Sequence, residues 1–242
     1  PKLLFVLSSI AGRGVRRMAG GTRNWGNYFG LLLVLGQLYV LFTGSMTGTD
    51  HLRVRRVTVR VPDLPKSFDG YRIVQFSDIH LGSMRSELLE RAVEQMNGLR
   101  PDMIAFTGDI QNMRPDELTR HTSTLRRLHA KDGVYSVLGN HDYSEYVPKL
   151  PMQQRRHNEM LTRRFHANVG WQLLLNDHRI IRRANDSIVI AGEENDGLPP
   201  FPSKADLKRT LRGVNAHSFV VMLQHDPSAW RRSILPRSNV QL

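Results

Sequence analysis

Four short stretches of this chain hold side chains that could meet on one object: SDIHLG with Asp78 and His80, TGDIQN with Asp109, LGNHDY with Asn140, His141 and Asp142, and QHDP with His225. Together they offer carboxylate oxygen, imidazole nitrogen and amide oxygen. That mixture suits Mn, Fe, Zn or Ni and suits Ca poorly, because hard cations avoid imidazole. Asp78 and His80 stand at i and i+2, so in an extended segment their side chains point the same way. Asp109, in the middle cluster, is the natural carboxylate to bridge two cations. Two divalent ions about 3.5–4 Å apart can activate a water and clamp a phosphoryl group during in-line displacement. His141, between a candidate ligand and Asp142, is the candidate general acid for a leaving alkoxide, with Asp142 orienting its ring; such a group contributes about 10²–10⁴ in rate. Gly108 and Gly139 precede the candidate ligands and would let backbone approach a crowded centre.

Taken singly, each residue has a plainer explanation. A lone Asp after a strand is ordinarily a cap or turn residue, and a lone histidine ordinarily packs in a core. What sets these four clusters apart is a shared position, each following an apolar run: YRIVQF (71–76), DMIAFT (102–107), GVYSVL (133–138) and SFVVML (218–223). The carboxyl edge of an open α/β sheet is where ligands bind. The other histidines (51, 121, 129, 157, 166, 178 and 217) lack this context and read as surface or packing residues. Glu193, Glu194 and Asp196, which follow SIVIAG, read as a solvated loop in preference to a lining of the cleft.

The elements that must position the clusters alternate. Helices are expected over Glu87–Leu99, over Pro115–His129 with proline in its first turn, and over Met152–His166. WQLLLND, HRIIRRA and SIVIAGE read as consecutive strands joined by turns at Asn176–Asp177 and Asn185–Asp186, followed by a short helix over Lys204–Leu211. The pattern implies an α/β layered core, parallel where helices intervene and antiparallel around 171–192. Upstream, VRRVTVRV alternates apolar and charged residues as an edge strand would.

The first 49 residues have another texture. Residues 24–49 carry no formal charge, and 28–44 read YFGLLLVLGQLYVLFTG, which with its flanks reaches the ~20 residues needed to cross a bilayer. Leu3–Ile10 reads as the tail of a further span. Arg13, Arg16, Arg17 and Arg23 lie between the two, which places that loop in the cytoplasm and the region after Thr49 on the extracytoplasmic side. The expected organisation is membrane segments with a short basic loop over 1–49 and a catalytic domain over 50–242. Cysteine is absent, which excludes disulfides and thiolate metal sites. A net charge of +12 favours anionic partners. The arginines are dispersed rather than gathered with aromatics, which disfavours nucleic acid.

The ordered set D-x-H, G-D, G-N-H-D and then a lone histidine resembles the calcineurin-like metallophosphoesterases, in particular their membrane-associated bacterial branch, over about residues 68–242. The resemblance implies a β-sandwich flanked by helices, with two divalent metals between the carboxyl ends of its strands. Asp78 and His80 would hold the first metal, Asp109 would bridge, and Asn140 and His225 would hold the second. The family closes its site with G-H-x-H, which these 242 residues lack. Because the sequence opens on Pro1 and stops at SNVQL, which reads as a strand beginning, that segment is expected beyond Leu242. The implied function is a membrane-tethered phosphoesterase acting on a mono- or diester, with a phospholipid or lipid-linked precursor as a candidate substrate. The alternatives are a catalytically inactive membrane scaffold of the same fold, or a nuclease.

Overall fold

Close-packing glycines, and in its second helix a charge-free sequence, explain the first part of the fold. The computed structural model of the chain describes residues 2–47 and 51–235, and these form two compact units divided between Val57 and Thr58. In the first unit, α1 (Lys2–Ala19) and α2 (Trp25–Thr47) pair as a helical hairpin. A Cβ added to Gly26 would stand 2.0 Å from the Ser8 carbonyl oxygen, so only glycine allows this approach. Small residues that let helix backbones meet are the usual basis of helix pairing in lipid. Trp25–Gly44 is long and apolar enough to cross a membrane, the one such helix among the described residues. Leu3–Ile10 lies within α1, which runs on through Arg13, Arg16 and Arg17.

The second unit has two sheets. The first is four parallel strands in the order β1 (Ile73–Phe76), β2 (Met103–Phe106), β3 (Val134–Ser136) and β4 (Gln172–Leu173). The second holds β5 (Asp177–Arg183), β6 (Asp186–Gly192) and β7 (Phe219–Leu223), with β5 antiparallel and β7 parallel to β6. One core cluster joins Met103, Ala105 and Tyr135 of the first sheet, with Val137 just past β3, to Ile181, Ile188, Ile190 and Phe219 of the second. Another covers the opposite face of the first sheet, where Ile104, Phe106 and Val134 meet Leu89 and Val93 of α3 (Ser86–Gly98). Phe106 is fully buried there, and such a side chain contributes about 1.5–3 kcal/mol. β2 is buried on both faces, which is why it reads as a continuous apolar run.

The structure departs from the sequence reading in several places. WQLLLND does not open an antiparallel run: Gln172–Leu173 pairs parallel with β3 in the first sheet, and the antiparallel hairpin begins at Asp177. The helix expected over Pro115–His129 is a 3-10 turn, Pro115–His121, followed by α4 (Thr122–Leu125). Its threonines bond back to their own turns, Thr119 Oγ1 to the Asp116 carbonyl and Thr122 Oγ1 to the Thr119 carbonyl, which competes with regular helix. α5 (Met152–Asn168) forms as expected, and α6 shrinks to Leu207–Thr210. VRRVTVRV forms no strand among the described residues. Alternation supplies one apolar face, but a strand also needs a partner edge. The strand expected at SNVQL lies outside the described residues.

Candidate metal centre

Three clusters follow β1, β2 and β3 of the first sheet, and the fourth follows β7 of the second. They converge. One ligand atom each from Asp78, His80 and Asp109 lies within 4.8 Å of the others. His80 Nε2 is 3.6 Å from Asp109 Oδ2 and 4.0 Å from Asp78 Oδ1. On the far side of the same carboxylate, His225 Nε2 is 3.6 Å from Asp109 Oδ1 and 2.9 Å from Asn140 Oδ1. The His141 amide donates to Asp109 Oδ1 at 2.9 Å, and its ring meets the His80 ring edge-on at 4.9 Å between centroids. With Asp142 Oδ2 accepting the Asp109 amide at 2.9 Å, the six other predicted site residues all stand around Asp109.

Convergence is achieved by a backbone other than the extended one expected. Asp78, His80 and Asp109 all adopt left-handed conformations, with φ of 53°, 40° and 61°. Each such residue costs on the order of 1–3 kcal/mol, and this strain gathers where structure is held for function. It is offset here by a ladder between the two loops: the Asp78 amide donates to the Gly108 carbonyl, His80 to Asp109 and Leu81 to Ile110. Gly139 is forced by proximity, since a Cβ there would lie 2.2 Å from Asp109 Oδ1.

The donor set fits divalent cations. His80 turns Nδ1 to the Gln111 carbonyl at 3.1 Å, and His225 turns Nδ1 to the Thr107 carbonyl at 2.8 Å. Both rings thus present Nε2 to Asp109, the arrangement by which a backbone carbonyl orients a metal-binding imidazole. Asp109 is nearly fully buried, and with Asp78 and the facing imidazoles it forms a concentration of donors that a cation would neutralise.

Asp142 has a different place from the one expected. Its carboxylate is fully buried and accepts the amides of Asp109 and Gly139 on Oδ2 and those of Ile110 and Gln111 on Oδ1. Burial first, and the Asp109 charge second, push its pKa up to about 7, against the pull of these amides. It clasps the loops after β2 and β3 together. The His141 ring is oriented instead by the Asn112 carbonyl, 2.5 Å from Nδ1.

Two contributors carry no signal in the sequence. Asn112, Met113 and Arg114 donate their amides to the Glu117 carboxylate, which fixes the loop that holds the His141 ring. Tyr146 accepts a 2.7 Å hydrogen bond from Asn140 Nδ2 and lies against the His141 ring, 4.4 Å between centroids. Glu193, Glu194 and Asp196, read as a solvated loop, are buried. Gln224, beside His225, ties them to the site by donating to Glu193 Oε2 and to the Glu194 carbonyl. Burial pushes the Glu193 carboxyl up to about 7.

Comparison with known proteins gives the same picture. The family model described as calcineurin-like phosphoesterase matches residues 71–236. A "Transmembrane protein with metallophosphoesterase domain" from Danio rerio is 27% identical over 88% of this chain and 47% of its own length. An "Uncharacterized metallophosphoesterase YkuE" from Bacillus subtilis is 29% identical over 76% of this chain and 61% of its own. The "UDP-2,3-diacylglucosamine pyrophosphatase LpxG" of Chlamydia trachomatis is 37% identical over 100 residues, 40% of this chain and 30% of its own. The chain thus spans about half to three fifths of the length of the first two relatives.

Proposed function

The chain belongs to the calcineurin-like phosphoesterase family, and we propose that it is a membrane-tethered, metal-dependent hydrolase of a phosphate ester or pyrophosphate carried on a lipid. The observation that carries this reading is the division of the Asp109 carboxylate, one oxygen toward His80 and the other toward His225. Asp78 and His80 would hold one divalent cation, Asn140 and His225 a second, and Asp109 both. When bound, such a pair supplies Lewis-acid activation of water and neutralises charge on the phosphoryl group.

The chain's own residues do the rest. Nδ1–H of His141 donates to the Asn112 carbonyl, which leaves Nε2 to carry the proton given to the departing oxygen. The His141 amide holds Asp109 Oδ1, so the acid and the bridging carboxylate move as one piece. Asp142 fixes both loops without touching substrate.

The candidate span Trp25–Gly44, together with the diacylated substrate, UDP-2,3-diacylglucosamine, named for the LpxG relative, supports a substrate presented at a membrane. Arg13, Arg16 and Arg17 in α1 and Arg23 before α2 support, by the positive-inside bias, a hydrolase domain on the extracytoplasmic side. The deciding experiment is hydrolysis of a chromogenic phosphodiester by the full chain in detergent with Mn²⁺. Turnover lost on chelation and on Asp109→Asn supports the reading; no turnover across Mn²⁺, Fe²⁺, Zn²⁺ and Ni²⁺ overturns it.

A further inference from the structure

Between β6 and α6 the chain makes a loop whose tip is entirely apolar and entirely outside the core. Leu198, Pro199, Pro200 and Phe201 are consecutive and exposed, with Leu198 52% and Phe201 46% accessible. Four adjacent exposed apolar residues work against solubility unless something uses them.

The base of this loop is held by many polar contacts. The Gly197 amide and Asn195 Nδ2 both donate to the Pro202 carbonyl, at 2.9 and 2.7 Å, and the Lys204 amide donates to Asn195 at 2.7 Å. Asp196 accepts Ser203 Oγ at 2.9 Å and Ser233 Oγ at 2.8 Å, and Arg232 Nη2 stands 2.9 Å from its carboxylate. The Phe201 amide closes the tip on the Leu198 carbonyl at 2.9 Å. The fold therefore fixes this tip while leaving its side chains in water, which a mere linker would not require.

Position and charge say what it meets. The loop leaves the carboxyl end of β6, whose last residue Gly192 pairs with Leu223 of β7, two residues before His225. Gln224 Nε2 donates to the Glu194 carbonyl near the start of the loop at 3.1 Å. The tip therefore rises from the same sheet edge as the metal centre. Exposed Lys208, Arg209 and Arg212 follow it, against one acid, Asp206, while Lys204 is paired with Glu159 at 3.4 Å. The same chain carries a helix long and apolar enough to span a bilayer, so an anionic membrane surface is the apolar phase at the highest effective concentration.

We propose that the Leu198–Phe201 tip inserts into the headgroup–acyl boundary of an anionic bilayer and turns the metal-bearing sheet edge toward lipid-borne substrate. This deepens the reading of the chain as a membrane-tethered phosphoesterase and rests on it. A short Leu and Phe wedge beside basic side chains follows the same physics as interfacial helices, apolar burial plus attraction to anionic lipid.

The absence of cysteine makes the test clean. Phe201→Cys in the full chain, labelled with an environment-sensitive fluorophore, is reconstituted into vesicles of equal phosphatidylcholine and phosphatidylglycerol. Arg156→Cys on the exposed face of α5 serves as control. Insertion gives a blue shift at 201 with quenching by doxyl-labelled lipid, and neither at 156. No quenching at 201, with or without a blue shift, overturns the proposal. In a second arm, Leu198→Ser with Phe201→Ser is expected to lower turnover of a vesicle-embedded diacyl pyrophosphate by about five-fold, equivalent to about 1 kcal/mol, and to leave a soluble chromogenic diester unchanged. Equal losses on both substrates overturn it. If lipid quenches the probe but neither substrate is hydrolysed, the enzymatic reading fails and the membrane contact stands.

Discussion

Asn140 Oδ1 lies 2.9 Å from His225 Nε2 across 85 residues of chain. That contact exists because the amide points one way round, and Tyr146 sets the direction by taking the other end of the amide on its hydroxyl at 2.7 Å. A flipped amide would offer N–H donors where an oxygen ligand is needed. Tyr146→Phe keeps the ring against His141 and removes only the hydroxyl. Loss of such an orienting partner typically costs about 10–100-fold in metal affinity. Calorimetric titration of Mn²⁺ should therefore show one weakened site and one unchanged. Two unchanged sites would mean that the amide is set by something else.

Asp142 and Asp78 should separate stability from chemistry. Four amides from two loops converge on the Asp142 carboxylate, and an amide side chain there has one acceptor oxygen in place of two. Asp142→Asn should lower stability by about 3 kcal/mol, the loss of two charge-assisted hydrogen bonds inside the protein. Asp78 has a side chain 54% exposed. Asp78→Asn should shift stability by no more than about 0.5 kcal/mol while weakening metal binding. Thermal unfolding of both variants without metal checks the contrast; equal losses would show that Asp142 is no clasp.

The convergence was legible because each polar cluster follows an apolar run that becomes a strand with its carboxyl end on one edge. Residue type and position were enough to expect Asp78, His80, Asp109, Asn140, His141 and His225 at one place. The role of Asp142 was not, because its partner amides come from residues about thirty positions upstream as well as from Gly139, and backbone amides look alike in any sequence. Tyr146 was hidden for a similar reason. Tyr143, three residues earlier, is an identical letter, yet it is buried and accepts the Asn195 amide at 3.2 Å. The left-handed turns at Asp78, His80 and Asp109 were equally invisible, since nothing local requires them; the ladder between two loops imposes them.

Outside the site, His166 gives the fold an acid-sensitive point. It is fully buried, with Nδ1 2.9 Å from Ser136 Oγ and Nε2 without a hydrogen-bond partner. Burial alone pulls its pKa down to about 3. As pH falls below the ordinary histidine value of about 6.5, the unfolded chain takes up a proton that the folded chain refuses, so stability falls by up to about 1.4 kcal/mol per pH unit until about pH 3. Above about pH 7 the group has no effect. His166→Phe should flatten the part of the stability curve between pH 4 and 6.5 that is due to this residue. Urea unfolding of both proteins across that range decides it, and parallel curves would refute the assignment.

Cation binding should itself be measurable as stability. Asp109 offers one oxygen to each side of the centre, Oδ2 toward His80 and Oδ1 toward His225. A cation that binds only the folded chain stabilises it by RT ln(1 + [L]/Kd), about 2.7 kcal/mol at a hundred times Kd. Mn²⁺ should therefore raise the melting temperature of the full chain, and chelation should reverse the rise. Asp109→Asn exchanges one of those oxygens for an N–H donor and should abolish most of the shift. His178 is the comparison, since its Nδ1 contacts the Thr210 carbonyl at 2.8 Å, away from the Asp109 cluster. His178→Gln should leave the Mn²⁺ shift intact. If the Asp109 variant keeps the full shift, the cations bind elsewhere, and the strand ends gather their side chains for some purpose other than metal.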